Sequence, residues 1–520
     1  MLPLSPMRPV ETEAPPLPPP VPARRVTVRL DPHRIWRWQV WLLDALARAG
    51  IGHVAVAFVP GRPLPAALRL LLSLERQVYR LRGEQAADLV DPRDLRAFRP
   101  GASPGSENRP HGAPPDLVID LTGDPCAAGE PCLQPLYGGR VGDDALLDAL
   151  LEGEPVRLRL AGSPHRADAD LLPAAECRTV LTRSLNRVFS TVLSLCLAEA
   201  LGSLPPSGRR SGGAAAAGAA RPGPAAIGAF LARTAAAKLA ARLTRLCTTA
   251  PHWRVGWRPL SGEADFTGCT GQVPGGYAVL PDDGRRYYAD PFVLVEAGRR
   301  FLFVEEYCYA RRKGLISAAE IDPDGRIGTP RPVIEEAHHL SYPFVFAHAG
   351  AHYMIPEGSS CGRVELYRAT RLPDRWERVA VLLDGVAASD VTLTRVRGTW
   401  WMFACTHPWQ SSVRDTLSLF SAPDLLGPWT PHPRNPVVVD LRAARPGGAL
   451  YRRGGHLWRP AQDATGGYGS ALSLCRIDRL TPTEYRQSLE TVLRPGGPWA
   501  TAGLHTLNRG GGIEVIDGLF

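Results

Sequence analysis

Two hydrophobic rhythms divide the chain. Between residues 24 and 202 short apolar runs alternate with helical ones. RRVTVRL and HVAVAFV read as strands, while RIWRWQVWLLDALARAG and LPAALRLLLSLERQVYRL repeat their apolar positions three and four apart, as helices do. PDLVIDLTG is a further buried strand and LNRVFSTVLSLCLAEALG a closing helix. Alternating strands and helices predict an open α/β sheet. Ligands of such sheets bind at the carboxyl ends of strands, here DLTGD, Asp120 to Asp124.

From residue 250 to 520 the rhythm changes to short apolar runs rich in Trp, Tyr, Gly and Pro, which reads as all-β. One phrase recurs there. Asp290, Tyr342, Asp390 and Gly447 each stand eight residues before a turn glycine, namely Gly298, Gly350, Gly398 and Gly455. A fifth, weaker copy is GLHTLNRGGGIEVIDG around His505. Steps of about fifty residues, each long enough for a hairpin and two more strands, predict the blades of a five-bladed β-propeller. Between the two regions lie a low-complexity linker, 203–226, and an Ala-rich helix, 227–249, expected to pack on one of them. Residues 1–23 form a Pro-rich lead without the apolar core of a signal peptide.

In a hairpin the start of the first strand lies beside the end of the second. The position fifteen residues after each repeat head therefore sits near it: Glu305, Glu357, Cys405 and Gln462, followed by Glu306 and Asp463. Innermost strands of a propeller converge on its axis. Asp290, Glu305 or Glu306, Glu357, Asp390 and Asp463 are thus expected to cluster on one rim, where like charges raise one another's pKa and suit acid–base chemistry. His339, Ser341, Arg459, Gln462 and His505 join that rim as polar partners for sugar hydroxyls. Trp400, Trp401, Trp409 and Trp458 are candidates to stack on sugar faces. No dense Asp/Asn/Gly loop suggests calcium, so no metal and no cofactor is expected.

Charge narrows the partners. The net charge is +9, yet the 60 basic residues are scattered, and all but Lys238 and Lys313 are arginines. No long basic run points to nucleic acid. None of the ten cysteines forms a CxxC, which favours a reducing compartment. No uninterrupted apolar stretch reaches a membrane span, so a cytoplasmic protein is expected, one able to visit a membrane surface.

YYADPFVL, LSYPFVF, YMIPE, ELYRAT, WWMFACT, GPWTPHPRNPV and RPAQD, in this order, resemble the glycosidase-like five-bladed propeller of plant glucosamine inositolphosphorylceramide transferases. The resemblance covers roughly 250 to 518. That propeller is itself similar to family 43 glycosidases, which use a base, a pKa-tuning Asp and a general acid from separate blades. By order Asp290 resembles the base and Asp390 the tuning residue, with Asp463 or Glu357 as acid. Tyr342 stands where some relatives carry Asp. The resemblance implies a carbohydrate-active protein whose substrate is a sugar, glycan or glycolipid. Either it processes a glycosidic bond or it binds glycans without cleaving them. The N-terminal region resembles a degenerate formyltransferase domain, Rossmann-like, through its α/β order and DLVIDLTGD. SPHRADADLLPA, with His165, is the nearest string to a formyltransferase motif and implies a third possibility, formyl transfer to an amino sugar nucleotide.

Overall fold

The computed structural model describes residues 24–98, 114–127, 129–163, 166, 170–175, 178–202, 221–247, 252–260, 271, 273, 275–496 and 499–520. They form two compact units, parted near residue 248.

In the first unit the strands Arg25–Leu30, His53–Phe58, Leu117–Asp120 and Cys132–Tyr137 are parallel. Arg25–Leu30 lies between His53–Phe58 and Leu117–Asp120, and Cys132–Tyr137 follows on. Two short strands, Arg140–Val141 and Leu158–Ala161, pair antiparallel with Cys132–Tyr137, so the sheet is mixed. The α/β expectation holds at that level. Helix Leu181–Leu201 is long and apolar enough to cross a membrane, yet most of it is buried inside this unit. Phe189 packs between Trp36 and Trp38, at 5.2 and 5.5 Å. Its first backbone N–H groups, those of Leu181 and Thr182, donate to the buried Glu75 carboxylate at 2.9 and 2.7 Å. An acid at a helix N-terminus satisfies donors the helix itself cannot.

The strand end that was expected to meet a ligand is bonded locally. Asp120 accepts from the backbone and hydroxyl of Thr122, at 3.0 and 2.6 Å, and pairs with Arg29. Cys126 and Cys132 form a disulfide. His165 lies outside the described residues. The Ala-rich helix starts at Pro224, three residues earlier than expected, and belongs to this first unit.

The second unit is a five-bladed propeller. Four blades follow the chain, with innermost strands Arg286–Glu296, Ser341–His348, Ala388–Val396 and Tyr451–Arg453. The fifth is assembled from both ends of the unit. Leu507–Gly510 and Ile513–Leu519 supply its inner hairpin, and Trp253–Pro259 and Ala278–Val279 its outer strands. Pairing of Leu519 with Trp253 and of Ile513 with Pro259 closes the ring and leaves no open edge between first and last blade. The weakness of the fifth sequence copy follows: its other half lies some 250 residues upstream.

The turn glycines have a conformational cause. Ala297–Gly298, Ala349–Gly350 and Arg397–Gly398 all have positive φ, between 48° and 86°. Two consecutive left-handed residues make the two-residue turn whose twist matches a hairpin's. The second strands of the first and third blades, Arg299–Cys308 and Thr399–Thr406, are buried on both faces, because each blade is sandwiched between two others, and they read as continuous apolar runs rather than alternating ones. Phe303 is fully buried and meets Trp376 edge-on at 5.6 Å. Phe303→Ala is expected to cost about 3–5 kcal/mol, measured as a lower urea midpoint for the propeller transition.

Candidate functional site

The repeat heads share one backbone irregularity. Ala289 pairs with Glu305, Ser341 with Glu357 and Ser389 with Cys405, and in each hairpin the register then slips before resuming at Phe292, Phe344 and Thr392. The residue at each slip is left-handed: Asp290 at φ 50°, Tyr342 at 42° and Asp390 at 54°. Asp tolerates this region; for a bulky Tyr it is a costly outlier. A bulge of this kind re-aims one side chain without ending the strand. All three side chains enter one connected, buried network.

Asp290 accepts from the Thr506 hydroxyl at 2.6 Å and from the Tyr342 backbone at 3.2 Å, with His505 Nε2 3.5 Å away. His505 Nδ1 lies 2.5 Å from Asp517. Asp517 also accepts from the backbone N–H groups of Asp290, His505 and Thr506, at 2.9–3.0 Å, so one carboxylate ties the last blade to the first. Asp390 receives Arg445 Nε at 2.5 Å and Gln462 Nε2 at 2.6 Å. Glu357 accepts from the Asp390 backbone at 3.2 Å and lies 3.5 Å from Arg445. The Tyr342 hydroxyl bridges Thr392 at 2.9 Å and the Gly448 backbone at 2.8 Å. Ser341 is buried at the cross-strand position opposite Glu357.

Glu305 differs from the other acids. Among the described residues its one ion-pair contact is with His339, whose Nε2 lies 3.4 Å away. The Gly314 N–H donates to His339 Nδ1, so the neutral ring carries its proton on Nε2, facing Glu305.

Burial and mutual repulsion set the charges. Burial raises Glu305 well above the carboxylate range, and Asp290 and Glu357 raise it further. Burial lifts Asp290 to about 6, with His505 opposing, and Asp390 to about 7, with Arg445 opposing. Burial works against charge on His505, but Asp517 and Asp290 outweigh it and hold the ring near 9. Burial, then His338, lowers His339 to about 4. These shifts favour the protonated form of Glu305 and a neutral His339, beside Asp290 and a cationic His505. Asp290, His505 and Asp517 offer ligand atoms within 4.8 Å of one another, a spacing open to a divalent cation as well as to this ion pair.

Three expected members lie elsewhere. Glu306 points to the opposite face of its strand from Glu305, where it takes Arg286 at 2.5 Å and Ser317 at 2.6 Å. Asp463 caps a turn, accepting from the backbone and hydroxyl of Thr465 at 2.9 and 2.6 Å. Arg459 is fully buried inside the fourth blade, donating to the carbonyls of Ala443 and Ala444 and to Gln487. Trp400, Trp401 and Trp458 are core side chains. Sequence reasoning missed Asp517, Arg445, Thr506, Trp253, stacked on His505 at 4.2 Å, and Tyr468, which lies over Arg445 at 5.3 Å. Asp517 stands two positions before the aligned +15 column, and Arg445 two before its repeat head, so no single register finds them.

Residues 281–495 match the family model described as glucosamine inositolphosphorylceramide transferase 1, N-terminal. The matched stretch holds four of the five blades. The chain is 32% identical over 264 residues to glucosamine inositolphosphorylceramide transferase 1 of Oryza sativa subsp. japonica, covering 48% of this chain and 34% of that protein. The protein of the same name in Arabidopsis thaliana is 31% identical over 246 residues, 45% and 32% of the two chains. The chain thus spans about a third of the length of the curated relatives it matches. Among solved structures, a family 117 glycoside hydrolase of Zobellia galactanivorans superposes with a TM-score of 0.33 at 13% identity, covering 51% of this chain and 90% of that one. A GH43 protein of Bacillus licheniformis gives 0.31 at 15%, covering 40% and 45%. The sequence matches support a carbohydrate-related function.

The raised His505 pKa makes a stability prediction. A cation whose folded pKa lies above its unfolded value stabilises fully below the unfolded value, near 6.5, and that stability is lost as pH rises through about 9. Propeller melting temperature should therefore fall between pH 6.5 and 9.5, and His505→Asn should flatten the fall. A variant that keeps the wild-type slope would show that His505 is not the group responsible.

Proposed function

We propose that the cluster at the propeller axis binds a sugar of a glycan or glycolipid and processes its glycosidic bond, by hydrolysis or transfer. The observation that carries this reading is the division of labour between two carboxyl groups in one buried network. Glu305 is raised well above the carboxylate range beside the neutral His339. Asp290 is braced by Thr506, the Tyr342 backbone and His505 in its ionised form. Environments that push two carboxyl pKa values apart assign an acid and a base. In this reading Asp290 is the base, Asp390 tunes the field through Arg445, and Glu305 takes the acid's role. Asp463 is already committed to its turn and Glu357 to Arg445. The match of residues 281–495 and the names of the rice and Arabidopsis relatives support sugar as the substrate class.

A second reading is a glycan-binding protein without turnover. Tyr342 favours it, since the second repeat head carries a phenol locked between Thr392 and Gly448 instead of an acid. Formyl transfer to an amino sugar nucleotide by the first unit is the third reading. It rests on the α/β order and the 163–174 string, and it requires folate binding. A cytoplasmic location belongs to the same proposal.

The full chain can be screened against free sugars, nucleotide sugars, aryl glycosides and folates by thermal shift and product analysis. A ligand at about a hundred times its Kd adds about 2.7 kcal/mol of stability. The expected result is stabilisation by a sugar with product formation. Glu305→Gln and Asp290→Asn should each lower turnover by at least about a hundredfold while binding persists. Sugar binding without product at any pH between 5 and 8 would replace catalysis by recognition. A folate that stabilises the chain would shift the chemistry to the first unit.

A further inference from the structure

The apolar side chains of helix Pro224–Cys247 are buried only near its start, while Arg233 and Lys238 tie it to the Leu151 carbonyl and to Tyr79. Ile227 and Phe230 are buried, whereas the side chains described from Leu231 to Leu246 are exposed, Thr234 partly. Alanine-rich composition lets such a segment hold its helical form without packing, but it does not account for the leucines. Leu231, Leu239, Leu243 and Leu246 are 48 to 77% exposed. At about 3.6 residues per turn Leu239, Leu243 and Leu246 share one arc, and Arg242 borders its edge, with Leu231 and Lys238 further round the same side. Between residues 221 and 247 there is no Asp or Glu. Arg242 has no ion-pair partner among the described residues.

The same unit carries a second stripe. Leu70, Leu74 and Val78, four residues apart on helix Ala66–Val78, are 48 to 69% exposed. Lys238 sits over the Tyr79 ring at 4.7 Å, which brings the end of that helix against the longer one. An apolar arc edged by cations and free of acids is complementary to one kind of surface: headgroups that are negative above a hydrocarbon layer. Leucines enter the acyl boundary while Lys and Arg reach back to the phosphates. Nucleic acid would use the cations but leave the leucines in water, and a second copy of the chain would set like charges along the same edge. We propose that these two helices form a docking surface for an anionic lipid bilayer. The proposal is independent of the sugar chemistry at the propeller axis.

The test is co-sedimentation of the full chain with vesicles of phosphatidylcholine alone and of phosphatidylcholine mixed with phosphatidylglycerol. Partition onto the mixed vesicles only is expected, falling at least about tenfold as salt rises from about 0.05 to 0.5 M. A Leu239→Asn, Leu243→Asn double variant should lose about tenfold or more, as should Arg242→Glu, with melting temperatures unchanged because these side chains are exposed. Equal binding to neutral vesicles, no binding to anionic ones, or an unaffected leucine variant would overturn the proposal. So would a leucine variant that turns a dimer into a monomer while vesicle binding stays the same. Loss on Arg242→Glu alone would point to a polyanion such as RNA and overturn it as well.

Discussion

One left-handed residue at the head of each of three innermost strands decides what this propeller presents at its axis. Without the slip at 290, 342 and 390, the strict alternation of a strand would hold each head side chain to one face of its blade. The bulge frees it. Asp290 reaches Thr506 of the last blade, Tyr342 reaches Thr392 and Gly448 of the third and fourth, and Asp390 reaches Arg445 and Gln462 of the fourth. A non-glycine residue at positive φ costs of order 1–3 kcal/mol, and three occur in register. The bonds between blades that they permit offset that cost, so the same feature seals the ring and builds the cluster.

The second constraint is charge. Asp290, Glu305, Asp390 and Asp517, with partly buried Glu357 at their margin, share one region with two cations, Arg445 and His505. Five carboxylates cannot all ionise there, because burial of unpaired charge is expensive. The structure resolves this by position. Asp390 and Glu357 share one guanidinium, and Asp290 and Asp517 share one imidazolium. Glu305 has neither, and burial raises it well above the carboxylate range. The asymmetry arises from ordinary desolvation together with a choice of neighbours.

Much of this was legible in the sequence, and the part that was not has a physical reason. Spacing to the turn glycine found the blades, and hairpin register found Glu305, Glu357 and Gln462, because those relations are local and repeat. Face was harder. Glu305 and Glu306 are adjacent, and only the position of the bulge tells which one turns to the axis. Asp463 and Arg459 have the right residue types, but Thr465 and the Ala443 and Ala444 carbonyls hold them inside their own blade. Asp517 and Arg445 are contributed by the two seams, the ring closure and the irregular fourth blade, where the repeat's numbering breaks. In the first unit the strand–helix alternation gave a layered sheet, while its antiparallel edge came from strands of two and four residues, too short to carry a pattern.

Tyr342 bears most directly on what the cluster does. It occupies the geometric position of Asp290 and Asp390, with the same left-handed backbone, yet its ring packs edge-on against Phe292 at 4.9 Å and its hydroxyl is spent on Thr392 and Gly448. A phenol there adds no negative charge at neutral pH, since burial raises it well above its usual range. An acid in its place would be a further carboxylate with no third cation to meet it, and it would raise Glu305 and Asp390 further still. The substitution therefore limits repulsion in the network around Asp290 and Glu305. Because the second head is locked by its neighbours, the proposed chemistry would rest on the first blade, which supplies both Asp290 and Glu305.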